Sequence, residues 1–185
     1  METAFAWLGQ IFEALLEFIP RRVIIRATES AVVWTLWFEP KELRPGIRFF
    51  WPLISDMEIA VVARQTINTR TQSLMTRDGK EVVAGGVVVY KINDIVQAIG
   101  KQNWSPEDTA GDIAQAAIVE VVSKWTLQGL LENISGEVEE ELTAKCRKQL
   151  RQYGIYVNRA ALTDFSTVRA INHSGINIEV NNTHG

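Results

Sequence analysis

Residues 66 to 92 impose the strongest constraint on the fold. Thr66 to Met75 and Glu81 to Ile92 are rich in β-branched residues, and Thr76-Arg77-Asp78-Gly79-Lys80 joins them. Asp-Gly between strand formers specifies a hairpin, because the turn needs positive φ values that few other residues tolerate. Gly85-Gly86 inside the second run predicts a bulge or a close backbone approach. An antiparallel pair cannot stand alone in water, so the flanking chain must cover one of its faces.

The chain after Ile92 supplies the cover. Asn93 or Asp94 is placed to cap a short helix ending at Gly100. Ser105-Pro106-Glu107-Asp108 reads as a helix start, with a Ser cap, Pro at the first position and acids in the first turn. Ile113, Ala117, Val121 or Val122, and Trp125 then form one apolar stripe. After a short Leu127–Leu131 segment, Ser135 is expected to cap a helix with Glu137, Glu139, Glu140 and Glu141 near its start. Lys145, Arg147, Lys148 and Arg151 lie toward its end, and Glu141–Lys145 has a favourable i,i+4 orientation. Val138, Leu142, Cys146, Leu150 and Tyr153 form its packing face, Gly154 ends it, and Ile155 to Thr163 is a last strand.

The chain before residue 66 reads as strands and turns: Val23-Ile24-Ile25, Ala31 to Phe38, and Met57 to Ala63, punctuated by Pro40, Pro45-Gly46 and Pro52. The strands thus come first, the helices after them, and one strand closes the series. Of the thirteen Trp and Phe residues, ten fall within the first 51 positions, which carry six acids and six bases. Tryptophan favours boundaries between water and lipid, and a Trp-rich core accounts for the cluster equally well.

The segment from Thr3 to Ile19 predicts an amphipathic helix. Ala4, Phe5, Trp7, Leu8, Ile11, Phe12, Leu15, Leu16, Phe18 and Ile19 share one half of the helical wheel, opposite Glu2, Gly9, Gln10, Glu13 and Glu17. It is too short to span about 30 Å of hydrocarbon and lacks the basic start and cleavage site of a signal peptide. It suits the interface plane of a membrane, with Pro20 ending it and Arg21 and Arg22 beside lipid headgroups. The same face also suits a partner protein's groove, a neighbouring subunit or the chain's own domain, and the acidic polar side favours the partner groove. Gly46 to Pro52 places Ile47, Phe49, Phe50 and Trp51 between Gly and Pro, as a membrane-dipping loop or a buried edge strand.

Catalytic chemistry finds no frame. His173 and His184 both lie in a polar, Asn-rich tail, Cys146 is the only cysteine, and neither GxGxxG nor GxxxxGK[ST] occurs. Asp56 with Glu58, and the Glu137–Glu141 cluster, read as solvated or helix-terminal carboxylates. A net charge of −3 gives no electrostatic basis for binding nucleic acid. No enzyme, metal or cofactor is expected.

Several stretches together resemble the SPFH, or band 7, family of stomatin and prohibitin type. Arg64-Gln65-Thr66-Ile67 followed by Ser73-Leu74-Met75-Thr76-Arg77-Asp78-Gly79 is similar to its arginine-led strand and T-K/R-D-G/S hairpin. Val87-Val88-Val89-Tyr90-Lys91-Ile92-Asn93-Asp94 looks like its V-x-Y-R/K-I-x-D strand end. Leu43 to Pro52 resembles its GPG-hydrophobic-hydrophobic-P loop. Tyr153-Gly154-Ile155-Tyr156-Val157 and Leu162-Thr163-Asp164 resemble its strand after the second helix.

The resemblance runs from about Ala27 to Phe165 and implies an α+β domain over 23–170, with a β-rich part followed by a more helical one; the amphipathic segment over 1–22 precedes it and the polar tail over 171–185 follows it. It implies a short form, lacking both the long C-terminal coiled coil and the re-entrant hairpin, so that assembly rests on the globular part. By that likeness the chain is a membrane-associated scaffold, forming homo-oligomeric rings or cages that organise lipid. Its regulated partners would be membrane proteases, channels or a longer relative, at the cytoplasmic face of an inner or plasma membrane.

Overall fold

A computed structural model describes residues 19–101 and 105–167. In chain order they form β1 (Arg21–Ile25), β2 (Glu29–Thr35), β3 (Phe38–Leu43), β4 (Gly46–Phe50), β5 (Ser55–Val61), β6 (Gln65–Asn68), β7 (Gln72–Met75) and β8 (Glu81–Ile92). A π-helical turn (Val96–Lys101) comes next, then α1 (Pro106–Lys124), α2 (Leu127–Asn133), α3 (Glu137–Leu150), a 3-10 turn (Arg151–Tyr153) and β9 (Ile155–Thr167). This is the expected α+β order.

The Asp-Gly hairpin forms between β7 and β8, with Met75 opposite Glu81 and Gly79 at φ +71°. The Thr76 hydroxyl donates to the Asp78 carboxylate at 2.7 Å and accepts from Lys80 N at 3.0 Å. Asp78 also accepts from Leu127 N at 3.0 Å, so the turn clasps the start of α2. The run expected as one strand over Thr66–Met75 is instead two. Thr69 leaves the ladder to bond Gly86 through both backbone and hydroxyl. The cause is the diglycine, where the pairing of β8 with β9 shifts register between Gly85 and Gly86. A Cβ on Gly86 would stand 2.7 Å from Ala161 O and 2.9 Å from Ile118 Cδ1.

β8 is the spine of the larger lobe, with β6 and β7 successively on one edge and β9 on the other. Helices α1 and α3 cover one face. Ser105 caps α1, accepting from Asp108 N, and the predicted stripe turns inward, with Ala117, Val121 and Val122 buried. Ala110, Ala114 and Ala117 let the helix approach the sheet closely. Val138, Leu142, Cys146 and Leu150 bury the α3 face as predicted. Ser135 does not cap that helix; Gly136 holds the N-cap position without a side-chain bond. Nor does Glu141 pair with Lys145. Glu141 bonds Lys124 and Trp125 Nε1, while Lys145 reaches Glu120, because α1 and α3 run antiparallel and bring those partners closer. Along β9, the Thr143 hydroxyl bonds Ala160 N and O, and Arg147 donates to Val157 O and Asn158 O. The helix thereby occupies backbone groups that an open strand edge would offer to another chain.

A smaller lobe is built on the antiparallel sheet β3-β2-β5. The π-helical turn packs on it through Val32, Ile92, Ile95 and Ala98. Asp94 caps this turn by accepting from Gln97 N at 3.0 Å. The helix continues to Lys101, so Gly100 does not end it. The lobes are joined at Gly154, whose carbonyl accepts from Asn93 N and Asp94 N. Gly154 has φ +69°, and a Cβ there would collide with Asp94 O. No other residue type fits that position without displacing the junction.

Candidate functional site

The ribbon β1–β4 pairs Arg22 with Phe49 and Ile24 with Ile47, and Arg21 with Phe50 and Ile25 with Gly46. Directly opposed residues share a sheet face, and successive residues alternate. Arg22, Ile24, Ile47 and Phe49 therefore lie on one face, while Ile25 on the other is buried. The apolar members of the first face are open to solvent: Ile24 is 60% exposed, Ile47 59% and Phe49 67%.

A second apolar feature lies beside the ribbon's end. The connection between β2 and β3 is a two-residue turn, Leu36-Trp37, with Thr35 opposite Phe38. Leu36, Trp37 and Phe38 are each about two-thirds exposed. Leu36 N donates to Ile54 O at 3.2 Å, tying this tip to the turn that comes after β4. Within that turn Trp51 O accepts from Ile54 N and from Ser55 N, and Trp51, Leu53 and Ile54 remain exposed. A cleft of about 590 Å³ separates the two features, lined by Arg21 and Phe50 on one side and by Trp34, Leu36, Leu53 and Ile54 on the other.

The sequence-predicted residues are thus partly gathered. Ile19, Arg21, Arg22, Ile47, Phe49, Phe50 and Trp51 are exposed or half-buried at or near one end of the molecule. Phe5, Trp7, Leu8, Ile11, Phe12, Leu15, Leu16 and Phe18 lie outside the described residues. The segment read as a loop or a buried edge strand is strand β4, and its Ile47 and Phe49 are exposed. Sequence reasoning missed Ile24, Leu36, Trp37, Phe38, Leu53 and Ile54. Ala31 to Phe38 reads as one continuous strand, because Leu-Trp carries no turn chemistry. The overlooked signal was the length of that apolar run without period-two alternation.

The remaining candidates serve structure. Glu139 forms a two-pronged pair with Arg159, at 2.5 and 2.8 Å. That bond holds its carboxyl below the usual range. The hydrogen bond from Thr76 does the same for Asp78, and that from Trp125 for Glu141. Cys146 is buried, and desolvation pushes its thiol up to about 11, far from a reactive thiolate. Asp56 and Glu58 are both exposed on β5. Among the described residues no group of three or more His, Cys, Asp or Glu is placed to hold a metal ion. Nor, among them, is any helix long and apolar enough to cross a membrane.

A family model of the SPFH domain / Band 7 family matches residues 23–180, most of the chain. The chain belongs to the SPFH domain / Band 7 family. It is also similar to an uncharacterized protein of Archaeoglobus fulgidus, 20% identical over 158 residues that make up 85% of this chain and 63% of that protein. The chain therefore spans less than two-thirds of that relative's length. SPFH proteins are in general membrane-associated, non-enzymatic scaffolds that typically oligomerise.

Proposed function

We propose that this chain is a scaffold that lies on a bilayer by its apolar end and organises lipid or membrane proteins of the protease or channel type. The observation that carries the reading is a convergence. The open ribbon face, the Leu36–Phe38 tip and the Trp51–Ile54 turn gather around the point where residues 19–22 enter the domain. A soluble monomer rarely leaves so many large apolar side chains uncovered in one region. Arg21 and Arg22 stand among them, as cations do at a headgroup layer. Residues 1–22 then add their apolar face to the same surface, 23–170 form the body, and 171–185 are a polar tail. The surface it takes in this reading is the cytoplasmic face of the inner or plasma membrane.

Vesicle flotation tests the reading. The full chain is expected to float with liposomes, and the Leu8→Glu/Phe12→Glu/Leu15→Glu variant to be released from them. A protein that stays at the bottom of the gradient with and without lipid ends the proposal. A second reading rests on Glu13 and Glu17, which give residues 3–19 an acidic polar side. There the chain is a soluble adaptor whose N-terminal helix docks in a partner protein's groove. Specific pull-down of one protein from membrane-free extract, lost in the same variant, together with no flotation, selects that reading.

A further inference from the structure

Ion pairs link α1, α3 and β9 on the helical face of the larger lobe. Lys124 meets Glu141, Lys145 meets Glu120, and Arg159 meets Glu139. At the junction of the lobes the pattern breaks. A cleft of about 660 Å³ lies between the end of α3, the start of β9 and the π-helical turn. Arg147, Lys148 and Arg151 line it, with Asp94 as its one carboxylate. Asp94 is committed to capping Gln97 N. Arg147 is held by the carbonyls of Val157 and Asn158, and its guanidinium lies 5.5 Å from the Tyr156 ring centre. Lys148 and Arg151 form no ion pair among the described residues. The cleft thus holds a fixed arginine and two cations that form no ion pair among the described residues.

The other edge of the same sheet has the opposite character. A groove of about 340 Å³ between β6 and the first turns of α1 is lined by Glu107, Asp108 and Asp112, with Arg70 as its one cation. None of these carboxylates forms an ion pair among the described residues. The two sites flank β8 on opposite edges and are offset along it: the groove's Thr66 to Asn68 pair with Val89 to Val87, and the cleft's Ile155 to Val157 pair with Ile92 to Tyr90.

We propose that copies of this chain associate side by side, the basic cleft at the β9 edge of one receiving the acidic groove at the β6 edge of the next. This rests on the reading of the chain as a self-assembling scaffold and names the surfaces that do the assembling. Two different faces on opposite edges make a heterologous contact, which propagates and closes into a ring when the rotation allows. Charge complementarity of this kind fixes register and suppresses wrong pairings.

The test is a charge swap in the full chain on phosphatidylcholine vesicles, with association read by cross-linking and by mass photometry after detergent extraction. Lys148→Glu/Arg151→Glu makes both edges acidic, and Glu107→Lys/Asp112→Lys makes both basic. Each variant alone is expected to associate at least about tenfold more weakly than the wild type. Mixed in equal amounts, the two are expected to recover wild-type association as alternating copies. Wild-type association should also fall when salt rises from about 0.15 M to about 1 M, which shortens the screening length from about 8 Å to about 3 Å. Variants that assemble as well as wild type, a mixture that gains nothing, or a wild type that stays monomeric on vesicles would overturn the proposal. Flotation of the same samples separates the two ideas. Loss of association with flotation intact leaves the membrane reading standing. Charge-dependent association of a protein that does not float removes the membrane reading and keeps this contact.

Discussion

Replacing Trp37 with Ser separates what the apolar end does for the fold from what it does for binding. Trp37 is 69% exposed at the tip of the β2–β3 turn, so its removal takes little buried surface from the folded protein. Surface changes of this kind stay within about 0.5 kcal/mol of wild-type stability. Against a membrane the balance is different. A tryptophan presents on the order of 250 Å², so two-thirds exposure leaves roughly 170 Å² still able to leave water. At about 25 cal/mol per Å² that is roughly 4 kcal/mol for complete burial, and about 2 kcal/mol if the ring enters only halfway. About 2 kcal/mol is roughly a thirtyfold drop in the partition coefficient. Phe49, 67% exposed on the ribbon face, should behave alike, and the double variant should approach complete release. The assay is flotation across a lipid titration, paired with urea unfolding of the same samples. A partition coefficient within about twofold of wild type refutes the membrane reading of this tip. An unfolding midpoint that falls as far as for a core variant refutes the exposure argument itself.

The packing and the titrating groups imply four further outcomes. Gly154→Ala forces a Cβ against Asp94 O at φ +69°, so it should destabilise the protein by several kcal/mol, of the size seen for strained or overpacked sites; chemical denaturation measures it, and a loss below about 0.5 kcal/mol contradicts the junction described. Leu142→Ala, at a fully buried position of α3, should cost about 2–5 kcal/mol as a core cavity, read in the same way. Asp78, Glu139 and Glu141 all have folded-state values below the ordinary carboxylate range, so their stabilisation is complete above about pH 5 and lost as pH falls through those lower values. Urea midpoints should therefore fall between pH 7 and about pH 3, less steeply in Glu139→Gln; a midpoint that rises on acidification contradicts the pairings. Cys146, buried with its thiol pushed up to about 11, should resist maleimide at neutral pH until the protein unfolds, and rapid labelling of the native state would show the α3 face to be open.

The part of this protein that its sequence determined by itself was local. Asp78-Gly79 dictated a hairpin, since its turn needs backbone angles those two residues reach cheaply. Ser105-Pro106 fixed where α1 starts, and Gly154 marked the stop after α3, because capping is a contest within a few residues. The order of strands and helices came from those signals and from hydrophobic period, and the α+β class from the resemblance of the motifs to a family. The tertiary structure decided everything that depends on a distant partner. Gly46–Phe50 became a strand because Arg21–Ile25 lies alongside it, a pairing that no nearby residue specifies. Lys145 chose Glu120 over the nearer-in-sequence Glu141 because two helices run antiparallel. The run from Ala31 to Phe38 broke at Leu36-Trp37, where β2 had to return along itself. Residues scattered from Ile19 to Ile54 became one apolar surface only when these folds were made. Alternation along a strand says which side chains share a face, but neighbouring elements decide which face is left open to water.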